Sequence, residues 1–319
     1  MTKNADTSTL LGSTVAWSQL AQLRFAARQL KLTPNRKHLS QLTGPYRTRI
    51  RGRGIDFSEV RSYQPGDDVR HIDWRVTARS NQPHTKLFSE ERERNVVIFT
   101  DQRSNMAFGS KRCFKSVLAC AAHSLIAWSA LHSNDRVGSM IASQQLHSLK
   151  AKRNQKTLLR SLQQLADSNQ QLGHDNFDTI TPLSQCLVEL QQICKPGSTV
   201  FIISDFHDFD EQCFQQLYRI SRHCELHAIQ IYDPLEEQLP SAGNYRISDG
   251  KQHTTINTAN PRLREQYRED YLDRRQQLSE RLASLHIPLM PLSTEQSPLA
   301  TLQYYFTPQL LTHRHGRRS

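Results

Sequence analysis

From Thr14 to Leu32 the apolar residues Val15, Trp17, Leu20, Leu23, Phe25, Ala26 and Leu30 recur near helical spacing. Thr33-Pro34 stops the pattern, since the residue before a proline is pushed out of the helical region, and one amphipathic helix is predicted. Residues 35–94 lack a long helical period and hold Gly44-Pro45, Gly52, Gly54 and Pro65-Gly66. Short strands and turns are predicted there.

Beyond residue 94 the pattern alternates. Asn95–Asp101 is an apolar run that ends in a carboxylate, and Cys113–His132 has the composition of a well-buried helix. Arg136–Ser143 reads as a strand, with Gln145–Ala151 pairing back on it. Helical patterns at Gln155–Asp167 and Pro182–Cys194 lead to the apolar strand Ser198–Asp205. Another helix, Asp210–His223, precedes the strand Glu225–Tyr232, and the charged helix Pro261–His286 returns to the strand Ile287–Leu292. In that helix Leu263, Tyr267, Tyr271, Leu278, Leu282 and Leu285 fall roughly on one face, which packing on a sheet explains. Strands alternating with helices predict an α/β fold: a mostly parallel sheet covered by helices on both faces, with an N-terminal β-rich elaboration. The expected boundaries are 1–34 for the N-terminal helix, 35–94 for the β-rich part, 95–305 for the α/β domain and 306–319 for a basic tail.

Composition narrows the class. No apolar stretch approaches the length of a membrane span, and the polar N-terminus does not read as a signal peptide, so a cytoplasmic protein is expected. Cys113, Cys120, Cys186, Cys194, Cys213 and Cys224 show no CxxC spacing and read as buried free thiols. The net charge is +11, and residues 1–94 hold 17 Lys and Arg against 9 Asp and Glu, +8 of that total. Such a basic front suits an anionic partner or a solvated face without a dedicated partner. Arg47, Arg49, Arg51 and Arg53, with Arg314, Arg317 and Arg318 in the tail, are the candidates for nucleic-acid or anionic-surface binding.

The densest chemistry lies in Arg61–Arg75, where Arg61, Arg70 and Arg75 interleave with Asp67, Asp68 and Asp73 around the Pro65-Gly66 turn. Guanidinium forks suit bidentate carboxylate contacts, so the segment reads either as a well-tied loop or as a recognition surface that includes Tyr63 and Trp74. Trp74 is expected to anchor a small core, with an exposed hot spot as the alternative. No GxSxG elbow, Walker A loop, HExxH or dinucleotide fingerprint is present, and a non-enzymatic protein is expected.

The run from Arg53 to Arg79, with Lys86–Arg92, the strand ending in Asp101, Ser204-Asp205-Phe206 and Tyr232-Asp233-Pro234-Leu235, resembles the bacterial family known as domain of unknown function 58. That resemblance implies a relation to von Willebrand factor A domains and a MoxR-type AAA+ ATPase as partner, for which this chain would act as adaptor or assembly factor. Von Willebrand A domains hold a divalent ion, Mg²⁺, with a DxSxS motif, a Thr and a further Asp at the strand ends. The corresponding positions here are Asp101-Gln102-Arg103-Ser104-Asn105, then Thr181 or Thr179, and Asp205. Arg103 and Asn105 replace both serines, so the site is expected to be degenerate. Arg103 is expected to stand in for the metal by bridging Asp101 and Asp205, the two residues a retained Mg²⁺ would need. The simpler alternative is that both acids only cap strand-end loops.

Overall fold

A computed structural model describes residues 10–32, 56–64, 69–80, 82–89, 93–172, 181–248 and 253–306. The chain divides into two compact units, one formed by Met1–Pro45 with Asn95–Ser319 and the other by Tyr46–Arg94.

In the smaller unit, β1 (Asp56–Ser62) pairs antiparallel with β2 (His84–Ser89), from Asp56 opposite Ser89 to Ser62 opposite His84. Between them lie a 3-10 turn, Val69–His71, and a helix, α1 (Trp74–Ser80), where only strands and turns are expected from the sequence. The helix starts because Asp73 Oδ1 accepts the N–H groups of Arg75 and Val76, at 3.0 and 3.2 Å. Seven residues are too few for a helical period to stand out against two β-branched side chains.

The larger unit is a mixed α/β fold. Its sheet contains β3 (Asn95–Asp101), β4 (Arg136–Ala142), β5 (Leu146–Lys152), β6 (Thr199–Ser204), β7 (Glu225–Tyr232) and β10 (Leu289–Ser293). The spatial order is β10-β7-β6-β3-β4-β5, parallel except for the edge strand β5. Side chains alternate across β3: Val96 and Ile98 enter one core, Val97 and Phe99 the other. The first core is covered by α4 (Lys115–His132), α5 (Gln155–Gln171) and α10 (Pro298–Phe306), the second by α6 (Leu183–Ile193), α7 (Glu211–Ser221) and part of α9 (Pro261–Ser284).

The N-terminal helix is not a separate piece. It is two short helices, α2 (Trp17–Gln22) and α3 (Arg24–Ala27), and it belongs to the larger unit because Leu20, Leu23, Ala26, Ala27 and Leu30 are buried in the first core. Ser124 and Ser129 of α4 fix it by donating to the carbonyls of Leu20 and Leu30, at 2.7 and 2.6 Å. The apolar stripe expected along α9 is buried only at Leu278 and Leu282, while Leu263 near its start is exposed. A helix of about 36 Å is longer than the sheet it packs on. A short helix, α8 (Pro234–Glu237), and a hairpin of β8 (Asn244–Ser248) and β9 (His253–Asn257) intervene before α9.

Candidate functional site

The strand order reverses between β3 and β6, and in open α/β sheets the crevice beyond the carboxyl ends at such a point is where ligands sit. Asp101 is the last residue of β3 and Asp205 follows β6, so both acids stand at that crevice. They are held by different cations.

Arg103 faces Asp101 with Nε 2.9 Å from Oδ1 and Nη2 2.8 Å from Oδ2. Its outer edge grips Asp208, with Nη1 2.6 Å from Oδ2 and Nη2 2.9 Å from Oδ1. The bridge expected between Asp101 and Asp205 therefore runs from Asp101 to Asp208. Phe206, a non-glycine residue with φ of 55°, reverses the chain just after Asp205 and brings Asp208 back to the crevice. Its N–H donates to Ser204 Oγ at 3.1 Å, and that hydroxyl donates to Asp101 Oδ2 at 2.7 Å. Thr181 contributes its backbone carbonyl, 3.1 Å from Arg103 Nη1. Asp208 also accepts the Leu183 N–H at 2.9 Å, capping α6, whose N-cap Pro182 gives no side-chain bond.

Asp205 is paired instead with Lys115, the first residue of α4, at 2.7 Å. The same ammonium lies 2.6 Å from Glu236, and Asn105 donates to the other Asp205 oxygen at 2.7 Å. Glu236 accepts the Asp233 N–H at 2.9 Å, completing a capping box on α8. Asp233 binds the loop before α4 through the Ser110 N–H and hydroxyl, at 2.8 and 2.5 Å, and receives the Thr294 hydroxyl at 2.6 Å. Five acids and two cations thus tie four strand ends together.

The electrostatics follow from burial against partners. Desolvation pushes the Asp101 carboxyl up, against the pull of the Arg103 hydrogen bonds. For Arg103 and Lys115 burial acts downward, but the carboxylates around each outweigh it and both cations are held more firmly protonated than usual. Asp208 and Asp233 end below the ordinary range, their burial being overcome by Arg103 and by the Ser110 and Thr294 donors.

A divalent ion does not fit this donor set. Both oxygens of Asp101 accept from Arg103, both oxygens of Asp205 accept from Lys115, Asn105 or the His207 N–H, and the Thr181 carbonyl is taken by the guanidinium. Two fixed positive charges already occupy the place where a hard cation needs free oxygens. Thr179 lies outside the described residues.

Sequence reasoning missed Lys115, Asp208, Ser204 and the Asp233–Glu236 pair. Asp233-Pro234-Leu235-Glu236 carries a visible capping-box pattern with proline at the first helical position. The signal for Lys115 is its isolation: residues 116–131 of the same helix hold no other charge.

In the smaller unit, Arg61 lies in β1 opposite Thr85, Tyr63 donates its backbone N–H to Pro83 at 2.8 Å, and Arg70 sits exposed in the 3-10 turn. Asp73 caps α1 as above, and Arg75 is exposed on that helix. Trp74 does not anchor a core: it is 70% exposed, because no residue of α1 is buried. Asp67 and Asp68 fall outside the described residues, as do Arg47, Arg49, Arg51, Arg53, Arg314, Arg317 and Arg318. Among the described residues no helix is long and apolar enough to cross a membrane.

The chain is similar to an uncharacterized protein of Mycobacterium tuberculosis, 28% identical over 286 residues that make up 88% of each chain. Among solved structures it overlaps the conserved hypothetical protein BatB of Bacteroides thetaiotaomicron, with 12% identity, a TM-score of 0.37, and coverage of 60% of this chain and 98% of that one. A mutated aerotolerance-related membrane protein of Bacteroides fragilis overlaps with 10% identity and a TM-score of 0.41, covering 67% of this chain and 98% of the other. Superposition this loose carries no argument about activity. The family model described as protein of unknown function DUF58 matches residues 59–277, from within β1 to the last third of α9, and the chain belongs to that family.

Proposed function

We propose that the chain is a non-enzymatic protein-interaction module: a von Willebrand A-like α/β domain carrying a recognition segment at Arg61–Arg75, acting as adaptor or assembly factor for a MoxR-type AAA+ ATPase. The observation that carries the interaction reading is Trp74, 70% exposed beside Arg75 and following Val69, itself 60% exposed. Tryptophan is highly buried on average, and Trp with Arg dominates interface hot spots. The choice of partner rests on the family resemblance. The sheet order supports the domain assignment, and the pairing of Asp101, Asp205 and Asp208 with fixed cations supports a non-catalytic crevice.

The test is titration of the purified ATPase against the immobilised full chain and its Trp74→Ala variant. Loss of a hot-spot tryptophan weakens association by about thirtyfold or more. Charge reversal of Asp67 and Asp68 abolishes it. Folded variants that bind as tightly as the parent would remove this segment from the interface and with it the reading.

A further inference from the structure

A second surface lies on the larger unit, along the N-terminal segment. The N-terminal segment 10–32 runs along α4, with Gly12 bridged to Cys113, Leu20 held by Ser124 and Leu30 by Ser129. One side of it is buried in the core; the other leaves Trp17 46% and Phe25 45% exposed. α10 lies beside its end, through a hydrogen bond of 3.2 Å from Gln303 to the Gln29 carbonyl, and adds Tyr304 at 56% exposure.

The charge on this ridge has one sign. Arg24 and Arg28 stack on the Phe25 ring, with guanidinium carbons 4.5 and 5.9 Å from its centroid. Among the described residues neither arginine meets a carboxylate. The sequence contains no Asp or Glu between Asp6 and Asp56, so the stretch 7–55 that contains the ridge has only Lys and Arg as its charged residues.

We propose that this ridge docks on an anionic phospholipid surface, with Arg24 and Arg28 at the headgroup phosphates and Trp17 and Phe25 entering the interfacial layer. Aromatic rings and arginines side by side, on a face fixed to a folded core, are the chemistry of a protein that lies on a bilayer rather than through it. Single-stranded nucleic acid shares the phosphate but needs open aromatic faces for its bases. Arg24 sits over the face of Phe25, which favours the lipid.

Sedimentation of the full chain with phosphatidylcholine vesicles, with and without phosphatidylglycerol, tests this. Binding is expected only to the anionic vesicles and declines as salt rises. Each of Arg24→Gln and Arg28→Gln weakens it by about fivefold. In a Trp74→Phe background only Trp17 and the buried Trp128 emit; the Trp17 part of the emission shifts blue on vesicle addition and is quenched by brominated acyl chains, while Trp17→Ser with Phe25→Ser releases the protein. All four side chains face solvent, so unchanged thermal melting identifies these losses as surface effects. Equal binding to neutral vesicles, binding that survives both pairs of substitutions, or no sedimentation beside retention of a labelled oligonucleotide overturns the proposal. ATPase association through Trp74 is read without lipid and stands or falls separately.

Discussion

Arg103 and Asp208 are joined by two parallel hydrogen bonds, of 2.6 and 2.9 Å, although 105 residues separate them in sequence. The opposite side of the same guanidinium holds Asp101, so one planar group fastens the end of β3 to the turn after β6. Only arginine offers two forks in one plane.

Removing Arg103 strands the fully buried Asp101. Arg103→Ala is therefore expected to destabilise the fold by about 3–5 kcal/mol, and Arg103→Lys to recover little, because a lysine cannot make both bidentate contacts. Asp208→Asn costs less, about 1–2 kcal/mol, because that side chain is 36% exposed and keeps an acceptor for the Leu183 N–H. Urea unfolding of the three variants checks the order; an Arg103→Lys protein as stable as the parent would break the account.

Lys115 and Asp205 form the second lock, and their contributions are coupled. Lys115→Met and Asp205→Asn are each expected to destabilise, while the double variant loses less than the sum, because the second change removes the partner left unpaired by the first. The folded pKa of Lys115 is raised, so its contribution is complete below the ordinary lysine value and is lost only as pH climbs through the folded value. A double-mutant cycle at neutral pH with zero coupling would contradict the 2.7 Å pair.

Much of this architecture is legible in the sequence, and the gaps have physical causes. Asn95–Asp101 and Thr199–Ser204 stand out because strands buried on both faces are continuous apolar runs, and the acids at their ends mark the crevice. Asp208 as the partner of Arg103 is not legible, since it depends on the left-handed backbone of Phe206, and nothing marks a phenylalanine for that conformation. The exposure of Trp74 is equally hidden: a ring after a turn reads alike whether or not a core forms beneath it. The β8–β9 hairpin, with the side chains of β9 largely exposed, lacks the apolar alternation that would announce it.

His123 gives stability a pH dependence of its own. It is buried on α4, with Nδ1 2.7 Å from the Thr100 hydroxyl, and burial pushes its imidazole down to about 3. Between that value and the ordinary histidine value near 6.5 the unfolded chain binds the proton and the folded chain does not. Stability therefore falls as pH drops through this window, by up to about 1.4 kcal/mol per pH unit, and is unaffected by this group above it. The depressed carboxyls of Asp208 and Asp233 act lower, their stabilisation present above the ordinary aspartate value of 3.8 and lost as pH falls through the folded values. His132, lowered by burial and by Arg28, acts in the same direction, and the raised Asp101 carboxyl opposes it. The share of His123 is therefore the difference between the parent and His123→Gln in denaturant midpoints from pH 7 to pH 4.5, with the variant the less steep of the two. Identical profiles for the parent and His123→Gln over that range would refute the assignment.

Gly109 controls how the loop after β3 reaches α4. A methyl group built on it would lie 2.3 Å from the Cys113 carbonyl oxygen and 2.8 Å from the Phe114 Cα. Both are backbone atoms at the entrance to α4, where the Lys115 N–H donates to the Phe108 carbonyl at 2.7 Å, so the clash cannot be relieved by a rotamer change. Gly109→Ala must displace the loop that carries Ser110 onto Asp233. The expected cost is about 1–3 kcal/mol for forced overpacking. If the displaced loop carries Ser110 off Asp233, Ser110→Ala adds less in the Gly109→Ala background than in the parent. Amide exchange gives the same answer locally: protection at Ser110 and Lys115 falls while that of the central strands β3 and β6 holds. A Gly109→Ala protein with parental stability and full protection at Ser110 would mean that the loop has slack which the close packing around Cys113 denies it.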